Sequence, residues 1–474
     1  MRSLLLRALA LSASLVLAGC AGSVDSSMTG SGGSIGSGGA TGTGGVVASG
    51  GTIGAAGKSG TTGSGGTTGK GGTTGTGGAT GTGGAAATGG ATGTGGATAT
   101  GGATGTGGAT GTGGASSTGG ATGTAGSSGG AAGTTMPGSG CAPPAAYANL
   151  FVSVSGHTQA DSDAKVSAAW TKLFTAGGSG AIYFNGPGSD ESYVEDTYNN
   201  DVRTEGMSYG MMIAVQLDHQ TEFDRLWTWV KNHMAQGTGQ IAWHCSTSGS
   251  KLATGGAPDG DEYFAAALVF AHTRWGDTSG KFNYATEAQW VLNLIRTQDF
   301  NTSAHIVAFY AGAGNTDGSY ILPAFYQTWA CFDTANADFW NSAVTAGRAW
   351  FHTAANSNGV IPDQSAFTNG SSGSAGADTI RCVANIMMDH NFFNADSWQT
   401  ATYAPEYSSY ESSHASGTAQ ISCDGLLGFG LPASTGKAFV DKLWSAAVPN
   451  RDYWNGVLYM LGLLHVSGNF HLWY

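Results

Sequence analysis

Thr204-Glu-Gly-Met-Ser-Tyr-Gly-Met-Met-Ile-Ala-Val-Gln-Leu217 and Asp452-Tyr-Trp-Asn-Gly-Val-Leu-Tyr-Met-Leu-Gly-Leu-Leu-His-Val-Ser-Gly468 are apolar nearly all round. A helix apolar on every side is buried on every side. Four more stretches have this character: 259–274, 323–335, 378–392 and 416–431. Between them run segments with a single apolar face. Phe223, Leu226, Trp227, Val230 and Met234 share one face of 220–235, and Tyr284, Ala288, Val291, Leu292 and Ile295 share another. Trp340, Ala343, Val344, Gly347 and Phe351 repeat the pattern, as do Phe439, Val440, Leu443, Trp444 and Ala447. With 160–176 and a short helix near 395–402, about twelve helices alternate between half-exposed and enclosed. Six hairpins in a ring, amphipathic helices outside and apolar helices inside, satisfy both kinds. The predicted fold is all-α, an (α/α)6 barrel. In such a ring the inner helices run parallel, so the loops entering them converge on one rim.

Outward from this core the composition changes abruptly. All 19 Phe, 13 Trp and 16 Tyr lie at or beyond Tyr147, while residues 21–140 hold 49 of the 82 glycines, with Thr, Ala and Ser filling nearly all the rest. The sequence therefore predicts a disordered Gly/Thr-rich tether at 21–140 and one large folded domain at 141–474. As a flexible coil, 120 such residues span roughly 60 Å root-mean-square. Ahead of the tether, Arg2 and Arg7 precede a short apolar run that ends in Leu17-Ala18-Gly19-Cys20. This is the pattern of a bacterial lipoprotein signal peptide, residues 1–20, with Cys20 as the lipidated residue. The expectation is an exported protein held by a lipid anchor in a membrane, at the outer membrane or cell surface.

Four of the 18 basic residues (Arg2, Arg7, Lys58, Lys70) and one of the 30 acids (Asp25) precede residue 141. The folded part is left with a strong acidic excess, which makes nucleic acid a poor partner. An acidic, Trp-rich domain suits a neutral ligand with flat apolar faces, such as a sugar. Cys141, Cys245, Cys331, Cys382 and Cys423 allow two disulfides at most, and none has the spacing of a zinc site.

Three acids open inner helices: Glu205, Asp259 and Asp378. Each has a purely structural alternative, since Asp259 with Glu262 reads as a capping box and Asp378 as an N-cap. Three acids on one rim also meet the needs of glycoside hydrolysis. One carboxylic acid protonates the leaving oxygen and another carboxylate acts at the anomeric carbon, the two about 6.5–9.5 Å apart in inverting enzymes. A helix N-terminus favours the ionised form, so an acid there stays protonated only where burial or a neighbouring carboxylate, such as Asp259, outweighs the dipole.

The stretch Ala257-Pro-Asp-Gly-Asp-Glu-Tyr-Phe-Ala-Ala-Ala-Leu-Val-Phe-Ala-His-Thr-Arg-Trp275 resembles the signature of glycoside hydrolase family eight, departing from it at Pro258 and Phe264. That family folds as an (α/α)6 barrel and inverts configuration, and the resemblance spans about 145–474. It implies Glu205 as general acid, Asp378 as base and Asp259 as the residue that holds the distorted sugar. Tyr320 would help hold the attacking water, beside Arg381, and no metal or organic cofactor is implied. Trp243 matches a family aromatic that stacks on a sugar, or is a core Trp. Within the family the wording is nearest to the reducing-end xylose-releasing exo-oligoxylanases, in which a Leu-His-Pro kink enforces exo action. Here Ser413-His414-Ala415 keeps the His and lacks the Pro. The resemblance thus implies cleavage of β-1,4 bonds in xylo-oligosaccharides, and the expected state is a monomer. The alternatives are endo action, a β-1,4-glucan substrate, or a sugar-binding protein without turnover. Glu195 and Asp196 read as loop caps, Asp261 as support for the Asp259 turn, and His244, His272 and His390 as structural.

Overall fold

The computed structural model describes residues 140–237, 239–414 and 417–474. The leader 1–20, its Cys20 and the tether through residue 139 lie outside the described residues, as does Ala415. The helices pair in chain order. α1 (Leu150–Ser153) and α2 (Gln159–Phe174) come first, then α3 (Thr204–Gln216) with α4 (Gln220–Trp229) and α5 (Pro258–Trp275) with α6 (Tyr284–Leu294). α7 (Pro323–Phe332) pairs with α8 (Ala337–Ala354), and α9 (Thr379–Phe393) with α10 (Ala404–Glu411). α11 (Thr418–Asp424), α12 (Leu427–Gly430), α13 (Ala433–Ser445) and α14 (Tyr453–Val466) complete the set.

The apolar helices pack on one another in sequence. α3 lies on α5, α5 on α7, α7 on α9, α9 on α11, α11 on α14, and α14 returns to α3. The amphipathic α4, α6, α8 and α13 each back one of them, and α2 backs α14. All-round apolarity translates directly into burial: in α14 all residues except Trp454 and Asn455 are buried, and in α5 everything from Pro258 to Ala271 is. At roughly 1.5–3 kcal/mol for each large apolar side chain enclosed, these helices supply the main driving force for folding. Close helix approach requires small residues at the crossing. A Cβ on Gly260 of α5 would collide with Thr204 of α3, so glycine there sets the distance between two helices that begin with candidate acids.

The structure departs from the predicted helices at two places. The segment 416–431 breaks after Asp424 into α11 and α12, and the short helix expected near 395–402 is a π-helical turn, Gln399–Tyr403, that runs on into α10. It also adds short strands to the helical architecture. The described residues contain nine short strands, all in connections that enter the apolar helices. Five of them, β1 (Tyr183–Asn185), β2 (Ser192–Asp196), β3 (Asp201–Arg203), β4 (His244–Ser246) and β5 (Lys251–Ala253), form one antiparallel sheet in that order. Strands of two to five residues are too short to show an alternating pattern above the noise of a loop. β3 leads without a break into α3 and so fixes where Glu205 stands.

Cys141 and Cys331 form a disulfide that ties the start of the domain to the end of α7, and Cys245, Cys382 and Cys423 are buried free thiols. Among the described residues, no helix is long and apolar enough to cross a membrane.

Candidate active site

Every residue of α3 is buried except Glu205, which keeps 16 % of its side chain exposed. A helix sealed along its length thus opens at a single carboxyl. Glu205 performs no capping: Arg203 holds the N-cap position and makes no side-chain cap bond. Glu205 Oε1 accepts a hydrogen bond from Arg381 Nη1 at 2.7 Å, and Oε2 accepts one from the Tyr453 hydroxyl at 2.8 Å.

The two capping alternatives for the other acids are not what the structure contains. At α5 the N-cap is Ala257 and Pro258 opens the first turn, where its missing N–H costs nothing. Glu262 is not in a capping box; it is buried, with the Tyr326 hydroxyl donating to its Oε1 at 2.7 Å. Asp259 Oδ1 accepts from the Gly260 amide at 2.8 Å, and its Oδ2 faces Arg381 Nη1 at 3.3 Å. At α9 Asp378 occupies the N-cap position but makes no cap bond. Asp363 holds the entry to the helix, accepting from the Asp378 amide at 3.2 Å and lying 2.7 Å from the Thr379 hydroxyl. It reaches in because Gly376 has no Cβ to block it. The Asp378 carboxylate pairs instead with Arg381 Nη2 at 2.8 Å.

Arg381 is therefore the hub. The residue is 5 % exposed, and its guanidinium binds Glu205, Asp259 and Asp378, from the starts of three helices, together with the Tyr209 hydroxyl at 3.0 Å. The Tyr320 and Trp454 rings flank it, with the guanidinium carbon 5.7 Å and 5.3 Å from their centroids. Tyr320 ends a 3-10 turn that Asp317 caps through Ser319 and that Asn385 of α9 grips by the Ser319 carbonyl.

The electrostatics resolve the conflict with the helix dipole. Burial, the largest influence, pushes the Glu205 carboxyl up to about 7; Asp259 and Asp378 add to the rise, while Arg381 and the Tyr453 hydroxyl oppose it. Asp259 is also raised, first by burial and then, against the pull of Arg381, by Asp378. One cation shared among three carboxyls leaves protons in the site at neutral pH. Glu205 is the partly exposed one of the two raised acids.

Trp243 is not a core residue. It is half-buried, stacks on His244 with ring centroids 4.5 Å apart, and lies 5.7 Å from the Arg203 guanidinium carbon. Its carbonyl accepts from the Thr204 amide at 3.0 Å, which places it one residue from Glu205. His414 is not brought into the carboxyl group by any described contact: it is exposed, its ring stacked on Tyr410 and its Nδ1 2.6 Å from the Tyr410 carbonyl. Asp196 caps the turn after β2 through the amides of Tyr198 and Asn199, and Glu195 lies 3.7 Å from Arg451. Asp261 is fully buried against the Asp299 carboxyl. His244 pairs with Asp201 at 2.8 Å and His272 with Asp277 at 2.8 Å.

Sequence reasoning missed Tyr209, Tyr453, Trp454 and Asp363. The first three stand inside helices whose apolar character hid them, although Tyr209, like Arg381, lies four or three residues beyond an acid on the same helix. Nothing local marks Asp363.

Residues 182–468 match the model of the glycosyl hydrolases family 8. The chain belongs to this family. It is a glycoside hydrolase, and it covers 99 % and 95 % of the length of two exo-oligoxylanase relatives. It is 31 % identical over 378 residues to the reducing-end xylose-releasing exo-oligoxylanase Rex8A of Paenibacillus barcinonensis, covering 71 % of this chain and 99 % of that one. The endoglucanase C of Ruminiclostridium cellulolyticum is 29 % identical over 302 residues, covering 57 % and 65 %. A crystal structure of a reducing-end xylose-releasing exo-oligoxylanase superposes with a TM-score of 0.67 at 31 % identity, covering 72 % of this family 8 chain and 99 % of the other. Rex8A has also been solved with xylose bound, and that structure superposes with a TM-score of 0.65.

Proposed function

We propose that this family 8 enzyme is an inverting, reducing-end xylose-releasing oligoxylanase, and that its helices close into an (α/α)6 barrel. The observation that carries the reading is the Arg381 hub, which gathers one raised and partly exposed acid with two further carboxyls at the starts of enclosed helices. Glu205 gives its proton to the glycosidic oxygen, Asp378 takes a proton from the attacking water, and Asp259 holds the sugar at the cleavage point. Tyr320, beside Arg381, borders the water. Trp243 offers a ring face one residue from the acid.

Glu205 and Asp378 are bound by neighbouring nitrogens of one planar guanidinium, at 2.7 and 2.8 Å. Their bound oxygens therefore lie no more than about 8 Å apart, a ceiling that admits the inverting spacing of roughly 6.5–9.5 Å and equally the shorter retaining one, so inversion rests on the family. Xylo-oligosaccharide as substrate and exo action rest on the coverage of the named exo-oligoxylanase relatives. The lipobox at Cys20 and the Gly/Thr-rich segment after it support an exported lipoprotein at the outer membrane or cell surface.

The test is xylohexaose labelled at its reducing end, with products followed over time. Labelled xylose alone at early times is the expected result. A spread of labelled xylobiose and longer products means an endo-xylanase. The endoglucanase relatives supply a second substrate, and cleavage of cellohexaose without cleavage of xylohexaose transfers the reading to β-1,4-glucan.

A further inference from the structure

The two oxygens of Glu205 have different partners, and only one of them can release a proton. Oε1 accepts from Arg381 Nη1 at 2.7 Å. A guanidinium has donors and no acceptor, so Oε1 is held as the accepting oxygen of the carboxyl and the proton belongs on Oε2. Among the described residues, Oε2 has one hydrogen-bond partner, the hydroxyl of Tyr453 at 2.8 Å.

The fold takes trouble over this tyrosine. Asp452 caps α14 by accepting from the Asn455 amide at 3.2 Å and from its side chain at 2.8 Å, and Asn455 in turn accepts from the Ala419 amide of α11 at 2.8 Å. The first turn of α14 is thereby fixed. The Tyr453 ring is 5 % exposed and seated against Gly206, where a Cβ would strike it. The residue next to the acid is therefore glycine for a packing reason that concerns the acid itself.

We propose that Tyr453 is a positioning residue for proton transfer: it selects Oε2 as the oxygen that releases the proton and donates to the carboxylate left behind. This rests on the reading of Glu205 as general acid. In the step, the Oε2–H bond breaks and its electron pair stays on Oε2. The proton forms a bond to the glycosidic oxygen, and the bond from that oxygen to the anomeric carbon breaks with its pair going to the leaving sugar. Water attacks the anomeric carbon and loses a proton to Asp378. The negative charge left on Glu205 is then met from both sides, by Arg381 on Oε1 and by the Tyr453 hydroxyl on Oε2, which works as donor or acceptor as the protonation state requires.

The charged and titratable groups facing this pair are Arg381 and Asp378 from α9, Asp259 from α5, Tyr209 from α3, and Arg203 and Asp196 from β3 and β2. None of these replaces the Tyr453 hydroxyl on Oε2 in the described contacts.

The experiment uses the full chain with Tyr453→Phe, and Glu205→Gln beside it in the same xylohexaose assay. Loss of a hydrogen bond to a developing charge is expected to lower kcat roughly ten- to hundredfold while KM stays within about twofold. Because the hydroxyl pulls the Glu205 pKa down, its removal moves the alkaline limb of the kcat profile to higher pH. Incorporating 3,5-difluorotyrosine at 453, a better donor of nearly the same size, moves that limb the other way and covers the case in which the Phe variant does not fold. A merely structural role moves neither limb. Unchanged kcat and limbs in the Tyr453 variants, with an inactive Glu205→Gln, overturn the proposal and leave the acid assignment standing. An active Glu205→Gln overturns both.

Discussion

Replacing Glu205 by Gln removes an ionisable group and keeps its shape, and activity and stability are expected to move in opposite directions. Burial, reinforced by Asp259 and Asp378 and opposed by Arg381 and Tyr453, carries this carboxyl from 4.5 to about 7. With 16 % of the side chain exposed, solvent screens the effect only modestly. One pKa unit corresponds to 1.36 kcal/mol, so the shift amounts to roughly 3 kcal/mol. In the unfolded chain the group ionises near its ordinary value, whereas the folded protein must either keep the proton or bury the charge. The stability linked to Glu205 is therefore fully present below about pH 4.5 and is lost as pH rises through about 7. Gln does not titrate and keeps that stability. In urea unfolding followed by Trp fluorescence, the two proteins should match near pH 4, and the variant should be more stable by roughly 3 kcal/mol near pH 8. The same variant should lose at least about a hundredfold in turnover, the lower range of what a general acid supplies. Equal stability at every pH, or a variant less stable near pH 8, refutes the argument that burial keeps this acid protonated.

Two further outcomes follow from the same contacts. Arg381→Met leaves three carboxyls without their shared cation, so it should cost about 3–5 kcal/mol near pH 8 and distinctly less near pH 5, where protonation replaces the lost charge; pH-dependent unfolding curves read this directly. The Cys141–Cys331 bridge closes a loop with a sequence separation of 190, and chain entropy gives about 5 kcal/mol as the most it contributes. The double Ser variant should unfold at lower urea, and a reducing agent should shift the wild type but not the variant.

The sequence determined the elements and the chemistry that is local to them. All-round apolar helices cannot face water, so alternation along the chain was enough to separate enclosed helices from outer ones. Composition alone placed every aromatic residue in the segment that carries the described helices. Glu205, Asp259 and Asp378 were legible because they interrupt apolar runs at the start of enclosed helices, where an acid is conspicuous. What local pattern left open was whether they cap or react, since capping is decided by which other side chain reaches the first amides. Only the tertiary structure answers that: the Asp378 carboxylate turns to Arg381 and makes no cap bond, and Ala257 with Pro258 opens α5 without Asp259. The short strands around the site escaped notice because two to five residues carry no period. Tyr453 and Tyr209 escaped because a tyrosine within an apolar helix reads as core until its hydroxyl is seen to face a charge. The proton on Glu205 lies furthest from the sequence. Its position depends on burial and on three charges from two other helices, and such a balance of long-range terms exists only once the chain has folded.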